Sequence, residues 1–511
     1  MSRHAIVLTL SSLVAALAGA APLRAAAADQ RPNILFIIFD DWGWNHAGAY
    51  GCTWVKTPHF DRIAREGILF KNCFTSNPKC SPCRASILTG RNTWQLKEAC
   101  CHNGLFPAGF VVYPDLLEQA GYTIGLTGKG WGPGDFKTAA GFKRNPAGPS
   151  FDQLKQEVPA SGIGRNDYAG NFAAFLKQRP AGKPFCFWMG FHEPHRAYER
   201  GSGLRLGKRL QDVKVPAYLP DVEAVRSDLL DYAVEVEWGD QQVGKALKAL
   251  QEAGELDRTL IAVTSDHGMP FPYVKGQIFE DAFHLPLAIR WGAAVKPGRV
   301  VEDFINVRDL APTYLELAGL KPHAQMTGRS FADILRSEKS GWIDPARQVM
   351  LVGKERHDIG RPNDWGYPVR AIRTPEYLYV HNYFPERWPA GNPETDFGNC
   401  DPGPTKEVVK TLGGHYYELC FGKRPADMLF RLADDPECVR NLANDPAYAK
   451  VMAELRERML GMLREEQDPR ALGQGEVFDT YQYVGGRAKG YDTWLKAQEA
   501  RLPEALKAPK K

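Results

Sequence analysis

The chain has 511 residues, 44% hydrophobic and 24% charged, with 64 Lys and Arg against 60 Asp and Glu for a formal charge of +4. That length exceeds what a single core fills, so a large domain with a smaller companion is expected. The near balance of charge gives no sign of a nucleic-acid binder, and an anionic small substrate would have to be held by local groups rather than by a global field.

Residues 1–28, MSRHAIVLTLSSLVAALAGAAPLRAAAA, join a basic start to an apolar stretch and a run of small residues, the pattern of a secretory signal peptide. Ser11, Ser12, Gly19 and Pro22 interrupt the stretch, which argues against a membrane span. No later segment approaches the roughly 18 apolar residues a span needs. Removing the segment takes Arg3 and Arg24 with it and lowers the formal charge from +4 to +2. A secreted or periplasmic protein is expected. The ten cysteines are scattered without a compact framework, so spacing alone sets no pairing among them.

The mature chain opens on NILFIIFDD, a continuous apolar run without alternation, as expected of a strand covered on both faces of a parallel sheet. TPHFDRIAREG follows, with Thr57 as N-cap, Pro58 at the first helical position and Gly67 as stop. A helix is predicted over about 114–120 and a strand over 122–127. PFCFWMGFHEPH supplies another apolar run, a long amphipathic helix spans about 222–253, and TLIAVTSDHG is the next strand. Repeated helix and strand units imply an α/β domain over 30–367, with a parallel sheet and helices on both faces. Beyond 368 the short runs VRAIRT and YLYVHNYF and a charged helix near 447–466 imply a smaller α+β unit, and the polar tail is expected to be peripheral.

Ligands of open α/β sheets bind outside the carboxyl ends of the strands, so polar residues that directly follow apolar runs are the candidates. Asp40 and Asp41 follow the first run, Lys129 the second, His192 and His195 the third, Asp266 and His267 the fourth. Up to three carboxylates in one confined site require protons or a cation, and a hard divalent ion with oxygen ligands, Ca²⁺ or Mg²⁺, meets that need. Arg84 lies in the first turn of a helix predicted to start near Pro82, where a helix N-terminus favours anions. Metal, helix end, arginine and lysine together describe a site for a tetrahedral oxyanion such as sulfate or phosphate.

NPKCSPCRASILTGR, residues 77–91, sets Cys80 and Cys83 three apart, a spacing that alone would allow a redox couple or half a zinc site. Cys80, Pro82, Arg84, Ala85, Leu88, Thr89, Gly90 and Arg91 meet the pattern C-x-P-x-R-A-x-x-L-T-G-R, and here the chain resembles the sulfatase family. Within it, FHEPHR, TSDHGMPFP, YPVRAI and DPECVRNLANDP are most similar to N-sulfoglucosamine sulfohydrolases, the heparan N-sulfatases.

The resemblance implies an alkaline phosphatase-like α/β domain with a small C-terminal antiparallel sheet. It also implies a hydrolase acting on a sulfated saccharide, with the N-sulfate of glucosamine in heparan-type chains as the expected target. Cys80 would be oxidised to Cα-formylglycine by a formylglycine-generating or maturase enzyme, and Asp40, Asp41, Asp266 and His267 would bind Ca²⁺, or Mg²⁺, together with it. Arg84 and Lys129 would hold the formylglycine hydroxyls and the sulfate, with His192 and Lys275 at the sulfate or the leaving group. One hydroxyl of the hydrated aldehyde would attack sulfur, and the second would lose its proton and expel sulfate, a step closed to an ordinary serine.

Three positions depart from the family pattern. TGKGWG carries Trp131 where related chains have a histidine shortly after the lysine, which leaves the general acid unassigned between His192 and Lys275. His267 stands where the N-sulfatase pattern has asparagine, and Cys83 where serine is common. For the saccharide, His195 and Arg196 in FHEPHR, Glu355, Arg356 and His357 in GKERHD, and Arg370 in YPVRAI are the candidate contacts, and Trp388 is either a stacking platform or a packed aromatic. An O-sulfatase, a formylglycine-dependent phosphodiester or phosphonate hydrolase, and a non-catalytic glycan binder are the competing expectations.

Overall fold

The computed structural model describes residues 31–137, 141 and 143–501, so the predicted signal peptide lies outside the described residues. The strands, in chain order, are β1 Asn33–Phe39, β2 Ile68–Phe74, β3 Gly104–Leu105, β4 Thr123–Gly128, β5 Gly134–Asp135, β6 Phe185–Gly190, β7 Thr259–Ser265, β8 His284–Arg290, β9 Arg299–Val301, β10 Ile305–Asn306, β11 Met350–Lys354, β12 Val369–Arg373, β13 Tyr377–Asn382 and β14 Asp427–Arg431. The large sheet runs in the order β10-β2-β8-β7-β1-β6-β4, with β9 also on β2. β7, β1, β6 and β4 are parallel neighbours, in register from Ile34 opposite Cys186 and Leu260. The expected parallel sheet therefore carries one exception: β8 runs antiparallel to both β7 and β2.

β1 shows why the apolar runs lack alternation. Leu35, Ile37 and Phe39 enter one core with Phe187, Met189 and Val263, while Ile34, Phe36 and Ile38 enter the opposite one with Trp188, Leu260 and Ala262. A strand covered on both faces must be apolar at every position. The helices α1 Pro58–Glu66, α2 Cys80–Thr89, α3 Tyr113–Gln119, α4 Tyr168–Gln178, α5 Ser202–Arg205 and α6 Glu223–Glu252 supply that cover. α6 buries Val225, Leu229 and Val243 on the first face, and α2 buries Ile87 and Leu88 on the second. α1 matches the predicted Thr57 cap and Gly67 stop residue for residue. No helix among the described residues is long and apolar enough to cross a membrane.

The smaller unit is an antiparallel meander, β11-β12-β13-β14, packed by the helix Ala449–Glu465 through Leu455, Met459 and Leu463. Its first strand, Met350–Lys354, precedes residue 368 in the chain. The tail is not peripheral. Arg356 donates from its guanidinium to the carbonyls of Tyr481 and Gln482 at 2.6 and 2.7 Å, which carries Tyr483 to Lys489 onto the rim described below.

Gly190 closes β6 where the chain passes under the β4 end. A Cβ there would lie 1.9 Å from the Lys129 carbonyl oxygen, an oxygen that accepts from Arg84 Nη1 and Trp188 Nε1. Gly190→Ala is expected to lower unfolding free energy by about 1–3 kcal/mol, the usual cost of overpacking, read from denaturant midpoints. An unchanged midpoint would mean that the β4 and β6 ends are free to part.

Candidate active site

The four parallel strands end on one rim, and their next residues converge. Asp40 and Asp41 continue β1, with Asp41 in left-handed backbone at φ 79°, a conformation costly for a side chain with a Cβ and typical of functional sites. Lys129 continues β4, His192 and His195 follow β6, and Asp266 and His267 follow β7. α2 starts at Cys80, two residues earlier than predicted, so that the Cys80 side chain faces this rim. Every residue of α2 is buried, which explains its mixed, nearly all-round apolar sequence.

The carboxylates are pinned by cations from separate elements. Lys129 Nζ donates to Asp40 Oδ2 at 2.5 Å, Lys275 Nζ to Asp41 Oδ2 at 2.7 Å, and Arg84 Nε to Asp266 Oδ2 at 2.9 Å, with Arg84 Nη2 3.7 Å from Asp40 Oδ1. Burial opposes ionisation of Asp40 and Asp41, but Lys129 and Lys275 outweigh it and keep both carboxyls below their ordinary range. Burial and the adjacent Asp40 push Asp266 above the carboxylate range instead. Asp266 is thus the carboxylate whose charge is least well compensated.

The donor set fits a hard cation. Asp40 Oδ1, Asp41 Oδ1 and His267 Nε2 are buried with no hydrogen-bond partner. Ligand atoms of Asp40, Cys80, Asp266 and His267 all lie within 4.8 Å of one another. His267 Nδ1 is 3.1 Å from the Gly268 carbonyl, to which it donates, and this leaves the Nε2 lone pair available to a cation, with Asp41 Oδ1 at 2.9 Å and Asp266 Oδ1 at 3.6 Å as the neighbouring oxygens. Carboxylate oxygens dominate, as Ca²⁺ and Mg²⁺ require.

Above this cluster opens a cavity of about 820 Å³, lined among others by Lys79, Cys80, His102, Lys129, His192 and Lys275. Arg84 lies behind it, fully buried, with Nη2 free of a hydrogen bond. Lys275 is shared between Asp41 and Asp401 at 2.7 Å each, and these two acids outweigh the burial that would otherwise discharge it. The Cys80 thiol is also held low: burial opposes its ionisation, and Lys129 and His102 more than offset that. Burial pushes the Cys83 thiol up, deep in the second core, so that it is the inert member of the pair. All ten cysteines are free thiols.

Of the residues assigned to the saccharide, His195 and Arg196 line the cavity, though Arg196 spends its guanidinium on Asp228 at 2.7 and 2.8 Å. Glu355, Arg356, His357 and Arg370 do not reach it, a correction with a common physical cause: buried charge and polarity must be paired. Arg370 forks onto Asp468 and meets Glu355 at 2.8 Å, Glu355 is gripped again by Arg470, Arg356 holds the tail, and His357 donates to Asn77 at 2.7 Å. Trp388 packs on Phe397 at the seam. Trp131 is buried, with its indole N–H on the Ser81 carbonyl at 3.0 Å and its ring edge-on to Phe106.

Sequence reasoning missed Lys79, His102, Asp358, Asp401, Tyr483 and Lys489, all on the cavity wall. Lys79 directly precedes Cys80 and was legible by position; the others come from loops with no periodic signal.

Comparison with known proteins gives the family. The sulfatase profile matches residues 32–320. The chain belongs to the sulfatase family. A second profile, described as N-sulphoglucosamine sulphohydrolase, C-terminal, matches residues 266–387. The human N-sulphoglucosamine sulphohydrolase is 29% identical over 500 residues, covering 86% of this chain and 91% of that protein. A structure solved with its substrate D-glucosamine-2-N,6-O-disulfate superposes with a TM-score of 0.62 at 20% identity, covering 86% of this chain and 98% of that one. A sulfatase structure from Bacteroides fragilis gives 0.65 at 19% identity, covering 88% and 99%. The fold is that of the sulfatases, and the chain is a sulfuric ester or sulfamide hydrolase.

A cation bound to this sulfatase at a hundred times its dissociation constant adds about 2.7 kcal/mol of stability. Calcium or magnesium added to chelator-treated protein is therefore expected to raise the melting temperature, and Asp266→Asn, which removes a ligand charge, to shrink that response. A melting temperature indifferent to chelator and to both ions in the unsubstituted chain would count against the site.

Proposed function

We propose that the chain removes the N-sulfate of glucosamine from heparan sulfate or heparin-type saccharides, as an exported enzyme whose Cys80 is oxidised to formylglycine by a maturation partner and whose acidic cluster holds Ca²⁺. The observation that carries the reading is the placement of Cys80 at the N-terminus of α2, on the wall of a cation-lined cavity and against three further candidate metal ligands, Asp40, Asp266 and His267. The human relative and the structure bearing an N-sulfated glucosamine support the choice of saccharide.

Once formed, the hydrated aldehyde at residue 80 would supply a nucleophilic oxygen, and a cation held by Asp40, Asp41, Asp266 and His267 would supply charge to lower its pKa and polarise the sulfate. The chain's own residues do the rest. Lys129 and Lys275 stay charged beside Asp40 and Asp41 and face the cavity where sulfate oxygens would gather. Arg84 is locked by Asp266 and by the carbonyls of Lys129 and Gly130, so its spare Nη2 is preorganised for an oxygen on residue 80. His192, exposed at the cavity, is positioned to meet the leaving amine. Its backbone N–H is fixed by Tyr168, whose hydroxyl is bonded to the buried Glu193.

Sulfate release from N-sulfated glucosamine saccharides is expected to exceed release from 2-O- and 6-O-sulfated ones, with the residue-80 peptide showing the mass loss of a thiol turned aldehyde. Release confined to O-sulfated sugars would replace the N-sulfate reading with an O-sulfatase. Lys129→Ala is expected to cut kcat/KM by about a hundredfold or more, the usual cost of losing one charge-stabilising donor.

A further inference from the structure

Trp131 removes a histidine from the position shortly after Lys129, and its buried indole is committed to Ser81. The cavity still holds an imidazole against residue 80. His102 follows the short helical turn Lys97–Cys100, and its backbone N–H is tied to the Arg356 carbonyl at 3.2 Å. Its Nε2 lies 3.4 Å from Cys80 Sγ, and its Nδ1 lies 2.7 Å from Asp358 Oδ1. Lys79 Nζ holds the other oxygen of Asp358 at 3.1 Å. Lys79, Cys80, His102 and Asp358 all line the cavity.

This is an orientation device. A carboxylate that accepts from Nδ1–H fixes the ring's tautomer and leaves the Nε2 lone pair directed at its target. Lys79 Nζ on the far oxygen of Asp358 fixes the carboxylate, and Asp358 in turn aims the ring from its Nδ1 side. The rival groups are less well placed for residue 80. Lys275 is clamped between Asp41 and Asp401, and Lys129 is paired with Asp40.

We propose that His102, aimed by Asp358, is the proton acceptor at residue 80, in a chain whose position 131 carries an indole and no imidazole. The inference rests on the formylglycine reading above. In the step that releases sulfate, Nε2 takes the proton of the free hydroxyl on residue 80. The O–H pair closes to the carbonyl, and the C–O bond to sulfate breaks with its pair leaving on the sulfate. The aldehyde is restored, and Nε2 then yields its proton to water. His102 is a catalytic residue in this scheme and Asp358 a positioning one.

The test uses matured full-length enzyme with its cation, a chromogenic aryl sulfate, and the variants His102→Ala, His102→Gln and Asp358→Asn, each first checked for its melting temperature and for conversion of residue 80 by peptide mass. The His102 variants are expected to keep a first-turnover burst of phenol while steady-state turnover falls about a hundredfold or more, the scale of general-base catalysis. Sulfate should then remain on the residue-80 peptide after quenching, and added imidazole should speed its loss from His102→Ala. Asp358→Asn should show the same retained sulfate without imidazole rescue. Turnover within about threefold of the unsubstituted enzyme in His102→Gln, or loss of the burst with no sulfate retained, would overturn the assignment of His102. An unsubstituted enzyme with a converted residue 80 that releases neither phenol from the aryl sulfate nor sulfate from an N-sulfated glucosamine saccharide would overturn the underlying reading, and this inference with it.

Discussion

Three acidic side chains buried at the ends of adjacent strands are the constraint on which the rest of the structure depends. Two like charges about 4 Å apart repel by about 4 kcal/mol even at an effective dielectric constant near 20, and Asp40, Asp41 and Asp266 have almost no exposure to water. The chain meets this with cations drawn from elements far apart in sequence: Arg84 from α2, Lys129 from the β4 end, and Lys275 from the loop after β7. Each cation offsets one carboxylate only partly. The oxygens left without partners, together with His267 Nε2, are the ligands a divalent ion would take.

Everything that fixes those cations is architectural. The parallel register of β7, β1, β6 and β4 brings four strand ends to one level. Gly190 lets the Lys129 backbone sit where a larger residue would collide, and that backbone then orients Arg84 through its carbonyl. The smaller unit is part of the same site, because Asp358 and Asp401 reach the cavity wall from it. The charges of Glu355, Arg356 and Arg370 serve this docking. They pair with Arg470, with tail carbonyls and with Asp468, and so hold the loop that carries Asp358.

How much of this was legible in the sequence follows from range. α1 was readable to the residue because cap, proline and stop act within one helix. The strand-end residues Asp40, Lys129, His192 and Asp266 were readable because a buried parallel strand announces itself by an unbroken apolar run, and its end is a known kind of place. The antiparallel turn of β8 was hidden, since HLPLAIR reads the same in either direction of pairing. Glu355, Arg356 and Arg370 were placed wrongly because a charged loop carries no mark of whether its partners are protein or ligand; only the fold shows Asp468 and Arg470 beside them. His102, Asp358 and Asp401 were invisible for the same reason, being brought together over separations of 256 and 126 residues by contacts with no local pattern.

Trp131 shows how a departure from a motif can be local in sequence yet compensated in space. The large indole fills the volume under the start of α2, donates to the Ser81 carbonyl and packs on Phe106, so it stabilises the turn that presents Cys80. The imidazole that does reach residue 80 is His102, with a carboxylate behind it and a lysine behind the carboxylate. The chain of Lys79, Asp358 and His102 begins one residue before Cys80 and returns to it through the smaller unit. The docking of that unit and the geometry at Cys80 are therefore set by the same contacts.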